Sequence, residues 1–191
     1  MTSNPRLFVG MLLVVLTSLM GRAQTKPTVI SEMVVDYVPP PATLDDAVQR
    51  SAAIVVGRVR SAGTYRPPID GAALRMVYSV QVTEVLRNSP ELTTPELNVY
   101  RLGGDIDNGD HVKTIVERGF PRFTVGHQYL MFLSWNRVLN GFEVGLGPNG
   151  IYELMPNGTV ETAGGSMFAQ SQKVKSGAAL IADIKRIASI H

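Results

Sequence analysis

The sequence contains no cysteine, three histidines and a single tryptophan among 191 residues. Without cysteine there can be no disulfide staple, lipid-modified cysteine anchor, thiolate metal site or cysteine nucleophile. The three histidines, His111, His127 and His191, form no H-E-x-x-H or similar pair, so zinc hydrolysis has no ligand frame. No G-x-S-x-G occurs, and "GGSMF" at 164–168 lacks both the flanking glycine and the strand-to-helix turn of a nucleophile elbow. Long apolar runs are also scarce. The longest, Leu7 to Met20, is shorter than the ~20 residues that a membrane-crossing helix needs.

That run has a different meaning. It follows a short polar start with Arg6 and precedes the small residues Gly21 and Ala23 around Arg22, the anatomy of a secretory signal peptide. Residues 1–23 are therefore expected to be an export address, with no retained membrane span and a periplasmic or extracellular destination. Arg6 and Arg22 would leave with it, and 16 basic would then balance 16 acidic residues. A neutral chain without a basic run has no electrostatic footprint for nucleic acid. The remaining residues are enough for one domain, which at this size hides roughly 70% of its extended surface by folding.

What is present is mainly β pattern. Residues 24–42, with Pro39, Pro40 and Pro41, read as an extended proline-rich spacer, although 33–38 could add an edge strand. A single domain is expected over 43–191. It begins with a short helix, about 44–51, behind Thr43 as N-cap. Period-two alternation then takes over, in "AAIVVGRVR" with Gly57 inside the strand and in "MVYSVQVTEVL", whose phase reverses near Thr83 and Glu84 as at a bulge. Further strands are expected at 96–102 and 111–117. "QYLMFLSW" is almost continuously apolar and reads as a strand covered on both faces. Asn-Gly pairs at 140–141, 149–150 and 157–158 punctuate short strands as hairpins do. At the end, Leu180, Ile184 and Ile187 mark an amphipathic helix over 176–190, with Ser176 as N-cap.

Gly145, Gly147 and Gly150 match G-x-G-x-x-G. A dinucleotide fingerprint needs a helix to follow these glycines, and "IYELMPNGTVET" reads as strand and turn instead. The predicted role of the glycines is to shape a bent hairpin.

One cluster offers hard oxygen ligands. Asp105, Asp107 and Asp110, with Asn108 between them, could hold calcium, the one cofactor the sequence suggests. The frame does not fit an EF-hand, because Asp110 stands where the turn glycine belongs and Val116 where the bidentate glutamate belongs. A solvated turn whose Asp and Asn side chains bond their own backbone is the favoured expectation. Asn157-Gly158-Thr159 is a glycosylation sequon in form and a hairpin turn in context.

The succession "SAAIVVGRVRSAG", "MVYSVQVTEVLRNSP", "FTVGHQYLMFLS" and "GFEVGLGPNGIYEL" resembles exported bacterial domains with a small barrel of the oligonucleotide/oligosaccharide-binding (OB) type. Tissue inhibitors of metalloproteinases carry the same barrel. The resemblance covers about residues 51–154 and implies a binding or inhibitory module. Those inhibitors use a terminal cysteine on the protease metal, which is absent here, so their mechanism does not transfer. The expected architecture is a mainly β, OB-like barrel with a short N-terminal helix and a C-terminal amphipathic helix; a β-sandwich is the alternative. The expected function is an exported, non-catalytic module for a protein or glycan partner, contacting it through loops near 60–71 and 103–111. The alternative is a hydrolase assembled from distant residues, recognisable by perturbed titratable groups in a deep pocket.

Overall fold

A computed structural model describes residues 26–68 and 72–190. The expected export segment and its cleavage point lie outside the described residues. The fold is mainly β.

Strands β2 (Ala53–Tyr65), β3 (Arg75–Arg87), β4 (Glu96–Leu102), β7 (Gln128–Asn136) and β8 (Gly141–Val144) follow one another round a ring. β7 pairs β2, β2 pairs β3, and β3 pairs β4, all antiparallel. β4 pairs β8 in parallel, and β8 returns antiparallel to β7, which closes the circuit. β9 (Ile151–Leu154) and β10 (Val160–Glu161) extend the sheet outward from β7.

Closing five strands demands sharp local bends, and the β2–β3 pair supplies them. Its register slips at three places, one where Val56 pairs with Glu84 and Gly57 with Val82, leaving Thr83 unopposed. This is the bulge that the phase reversal predicts. The Thr83 hydroxyl donates to the Val56 carbonyl at 3.1 Å and holds the bend. Gly57 faces the same bend. A β-carbon there would lie 2.5 Å from Val80 Cγ1 and 3.1 Å from the Gln81 carbonyl oxygen.

Two cores result. Inside the ring Val55, Val59, Tyr78, Val80, Val99, Met131, Leu133 and Phe142 fill the barrel. On the outer side of β2 and β7, Ile54, Val56, Leu130, Phe132 and Tyr152 meet the helices. The unbroken apolar runs of β2 and β7 are thereby explained, because both faces of each strand are covered.

The helices obey local chemistry. α1 (Leu44–Gln49) is capped by Thr43, whose hydroxyl accepts from Asp46 N at 3.1 Å, while Asp46 Oδ2 accepts from Ala42 N at 3.0 Å. α3 (Gly177–Ala188) is capped by Ser176 and buries Leu180, Ile184 and Ile187, the expected stripe. α2 (Met167–Lys173) was not legible as a helix; Ser166 caps it by accepting from Ala169 N at 3.1 Å.

Residues 26–42 differ from the expected spacer. β1 (Thr28–Met33) lies earlier than the predicted 33–38 and pairs in parallel with β6 (Val112–Glu117), which pairs antiparallel with β5 (Gly104–Asp107). The chain then continues extended and stays attached. Tyr37 meets Phe120 edge-to-face at 6.3 Å, and Arg50 Nη2 donates to the Pro39 carbonyl at 2.8 Å. The surfaces expected as contact loops are partly strand: β2 runs on to Tyr65, and Gly104–Asp107 is β5.

Of the glycine triplet, Gly147 and Gly150 bound a single 3-10 turn, Gly147–Gly150, which runs directly into β9, and Gly145 lies in the turn just before it. No helix follows to receive a pyrophosphate. Gly147 has φ of +56°, and a β-carbon on it would meet the Tyr37 ring at 2.5 Å. Its absent side chain makes room for the N-terminal segment. Asn157 to Thr159 is a turn closed on itself, since Asn157 Oδ1 accepts from Thr159 N at 3.0 Å and from its hydroxyl at 2.7 Å.

Candidate functional site

The two ends of the barrel differ in chemistry. One is locked by a buried ion pair. β4 alternates Leu97, Val99 and Arg101 toward the interior, and at its last turn inward a guanidinium arrives where an aliphatic group would be routine. Arg101 Nη2 lies 3.3 Å from Glu117 Oε2, with 4% and 2% of the two side chains exposed. Arg101 also donates from Nη1 to the Pro121 carbonyl at 2.6 Å and from Nη2 to the Phe120 carbonyl at 2.7 Å. Its guanidinium carbon sits 3.3 Å from the centroid of the Phe120 ring and 5.0 Å from that of Phe123. Arg101 thus fastens residues 117–123 across the barrel end.

Burial dominates the electrostatics of the pair. Loss of hydration pushes the Glu117 carboxyl up to about 7 and lowers Arg101 to about 10. The Arg101 Nε and Glu117 Oε1 atoms have no hydrogen-bond partner among the described residues. Two clefts flank the pair, about 320 and 310 Å³ in volume. The second also holds the half-buried Arg75–Glu143 ion pair at 2.8 Å, with Asn136 Nδ2 donating to the other Glu143 oxygen at 2.8 Å. These groups could hold a polar solute or take up a proton.

The three candidate calcium ligands are placed on the β5–β6 hairpin and are drawn to different partners. Asp105 accepts from Arg122 at 2.7 and 3.0 Å and from the Thr114 hydroxyl at 2.8 Å. Asp107 meets Lys26 Nζ at 2.6 Å and accepts from Gly109 N at 2.8 Å. Asp110 contacts His111 Nδ1 at 2.6 Å. These partners hold all three carboxyls below the usual carboxylate range: Arg122 foremost for Asp105, Lys26 for Asp107 and His111 for Asp110. Among the described residues no three His, Asp or Glu side chains converge as a metal site would require. His127 pairs with Glu153 across the strand ends, and His191 lies outside the described residues.

The opposite barrel end is open. The 88–95 connection and the tight 137–140 turn flank a cleft of about 370 Å³. Trp135, the only tryptophan, is half-buried in it and meets Phe142 edge-to-face at 5.0 Å. Around it stand exposed side chains of Glu91, Thr93, Thr94, Glu96, Asn98 and Asn140. Asn140 has φ of +47°, the described non-glycine residue with left-handed backbone. That conformation lets β7 reverse into β8 within four residues, which suits asparagine.

Sequence reasoning had missed Arg101, Glu117 and this cleft. The alternation Leu97, Val99, Arg101 carried a signal, a charge at an inward position. The cleft carried none, since residues 91–98 and 135–140 meet only when β4 pairs with β8. No protein-family model matches the chain, and no curated protein matches it in sequence.

Proposed function

We propose that this chain is an exported, non-catalytic binding module of the OB barrel type, and that its ligand is engaged at the cleft around Trp135. The ring order, with β4 and β8 as its parallel pair, supports that barrel type. The observation that carries the functional reading is the pairing of the sole tryptophan with six exposed polar side chains in one cleft, while the other end is fastened by Arg101. A rigid aromatic body with polar neighbours gives contact area at low entropic cost.

The lone tryptophan also provides the test. Its emission, followed while the mature chain is titrated with peptide and saccharide collections, should shift saturably with at least one class of compound. A flat response throughout, from a chain shown to be folded by circular dichroism, would overturn the reading.

A hydrolase is the second reading, favoured by one observation. Glu117 has a carboxyl near neutrality and a free oxygen beside a cleft, the profile of a general acid or base. Against it stands the near-complete burial of that carboxyl. Hydrolysis of ester, glycoside or peptide substrates by the wild-type chain, abolished in a folded Glu117→Gln variant, would establish it.

A further inference from the structure

Resting on the assignment of ligand binding to the Trp135 cleft, we infer that the ligand is a neutral oligosaccharide. A sugar ring has two kinds of surface. Its C–H face is apolar and stacks on an aromatic ring, and its rim carries hydroxyls that each donate and accept hydrogen bonds. The cleft matches both. Trp135 supplies the aromatic surface, and the planar amide of Asn140 and the Thr93 hydroxyl supply uncommitted donors and acceptors, beside Asn98, which bonds Tyr100, and the Thr94 hydroxyl, which donates to the Glu96 carbonyl. The Asn140 side chain has no hydrogen-bond partner among the described residues, and its left-handed turn fixes the direction in which it leaves the backbone.

Charge decides among sugar classes. The lining carries two carboxylates, Glu91 and Glu96, and no basic side chain. Glu91 is held ionised chiefly by the Ser89 hydroxyl, with Arg137 of the neighbouring turn adding a weaker attraction. The Ser79 hydroxyl donates to Glu96. Uronates, sulfated glycans and phosphorylated ligands would meet repulsion there. A simple cation would use the carboxylates and the indole but leave the Asn140 amide and the Thr93 hydroxyl idle, so a polyol fits the whole lining better. At about 370 Å³ the cleft suits a short saccharide, at the low end of ligand pockets.

The experiment is titration of tryptophan emission with cellotetraose and with N-acetylchitotriose, both neutral, and with oligogalacturonate as the anionic comparison. Neutral sugars should give a saturable change and the anionic one at least tenfold weaker binding. By calorimetry, Asn140→Gly, which keeps the backbone turn but removes the amide, and Thr93→Val should each weaken binding of the responsive sugar roughly tenfold. A response to peptides with none to either neutral sugar would overturn the sugar assignment and leave the binding module standing. No response to any class would overturn both. Sugar binding unchanged in Asn140→Gly and Thr93→Val, both shown folded, would remove it from this cleft.

Discussion

The guanidinium of Arg101 lies 3.3 Å from the centroid of the Phe120 ring and 3.3 Å from the carboxyl group of Glu117. One side chain thereby joins the barrel's β4 to the small sheet's β6 and to the segment that leads into β7. Buried pairs of this kind contribute little net energy over an apolar replacement, but breaking one leaves an uncompensated charge.

Above pH 7, where Glu117 is ionised, Arg101→Leu should therefore cost about 3–5 kcal/mol, and Arg101→Leu with Glu117→Leu should recover a large part of that loss. Urea unfolding of the two variants and the wild type measures it. Equal stability of the single and double variants would mean that Glu117 carries no buried charge.

Glu117 also makes a prediction in pH. Its folded-state value near 7 exceeds its ordinary value of 4.5, so between those limits the folded chain holds a proton that the unfolded chain has released. Stability should fall as pH rises from about 4.5 to about 7 and level off above. The depressed aspartates Asp105, Asp107, Asp110 and Asp183 act with the opposite sign, losing stability as pH falls through their lowered values. Melting temperature against pH should show the upper slope in wild type and not in Glu117→Gln. If the slope is missing from wild type, the attraction of Arg101 outweighs burial.

Gly57 tests the closure of the barrel. Gly57→Ala puts a methyl group against Val80 and the Gln81 carbonyl, and overpacking of this kind costs about 1–3 kcal/mol. Gly165→Ala, where a β-carbon meets nothing within 4 Å, is the control. Indistinguishable denaturation midpoints for the two would refute the close β2–β3 approach.

The second core depends on α3. Ile184→Ala, at a fully buried position, should cost about 2–5 kcal/mol. Ile190→Ala, at a position 71% exposed, should stay within about 0.5 kcal/mol. A small effect at Ile184 would mean that the helix does not close this core.

For the Asp105 cluster, millimolar calcium should leave the melting temperature unchanged, because Arg122, Lys26 and His111 already engage the carboxylates. A rise of several degrees would reinstate a calcium site.

Periodicity and caps were legible in the sequence because they are local. The Thr43 and Ser176 caps, the Leu180–Ile184–Ile187 stripe, the Thr83 bulge and the doubly covered β7 each depend on neighbours within a few residues along the chain or on how many faces of a strand are apolar. α2 escaped notice because seven residues give too little period to read and, unlike α1, no acidic first turn follows its N-cap. β1 escaped because its partner β6 lies some eighty residues away, and its proline-rich sequel suggested a spacer.

The sequence by itself determined that the chain is mainly β, that its glycine triplet has no helix to serve a pyrophosphate, and that thiol chemistry is excluded, since composition and side-chain alternation act wherever the chain goes. Tertiary structure alone decided that Arg101 meets Glu117, that the three aspartates turn to three separate partners, and that Trp135 shares a cleft with Thr93 and Asn98. Those outcomes follow from strand register round the closed ring, where one residue of slip would turn Arg101 from the inside of the barrel to the outside.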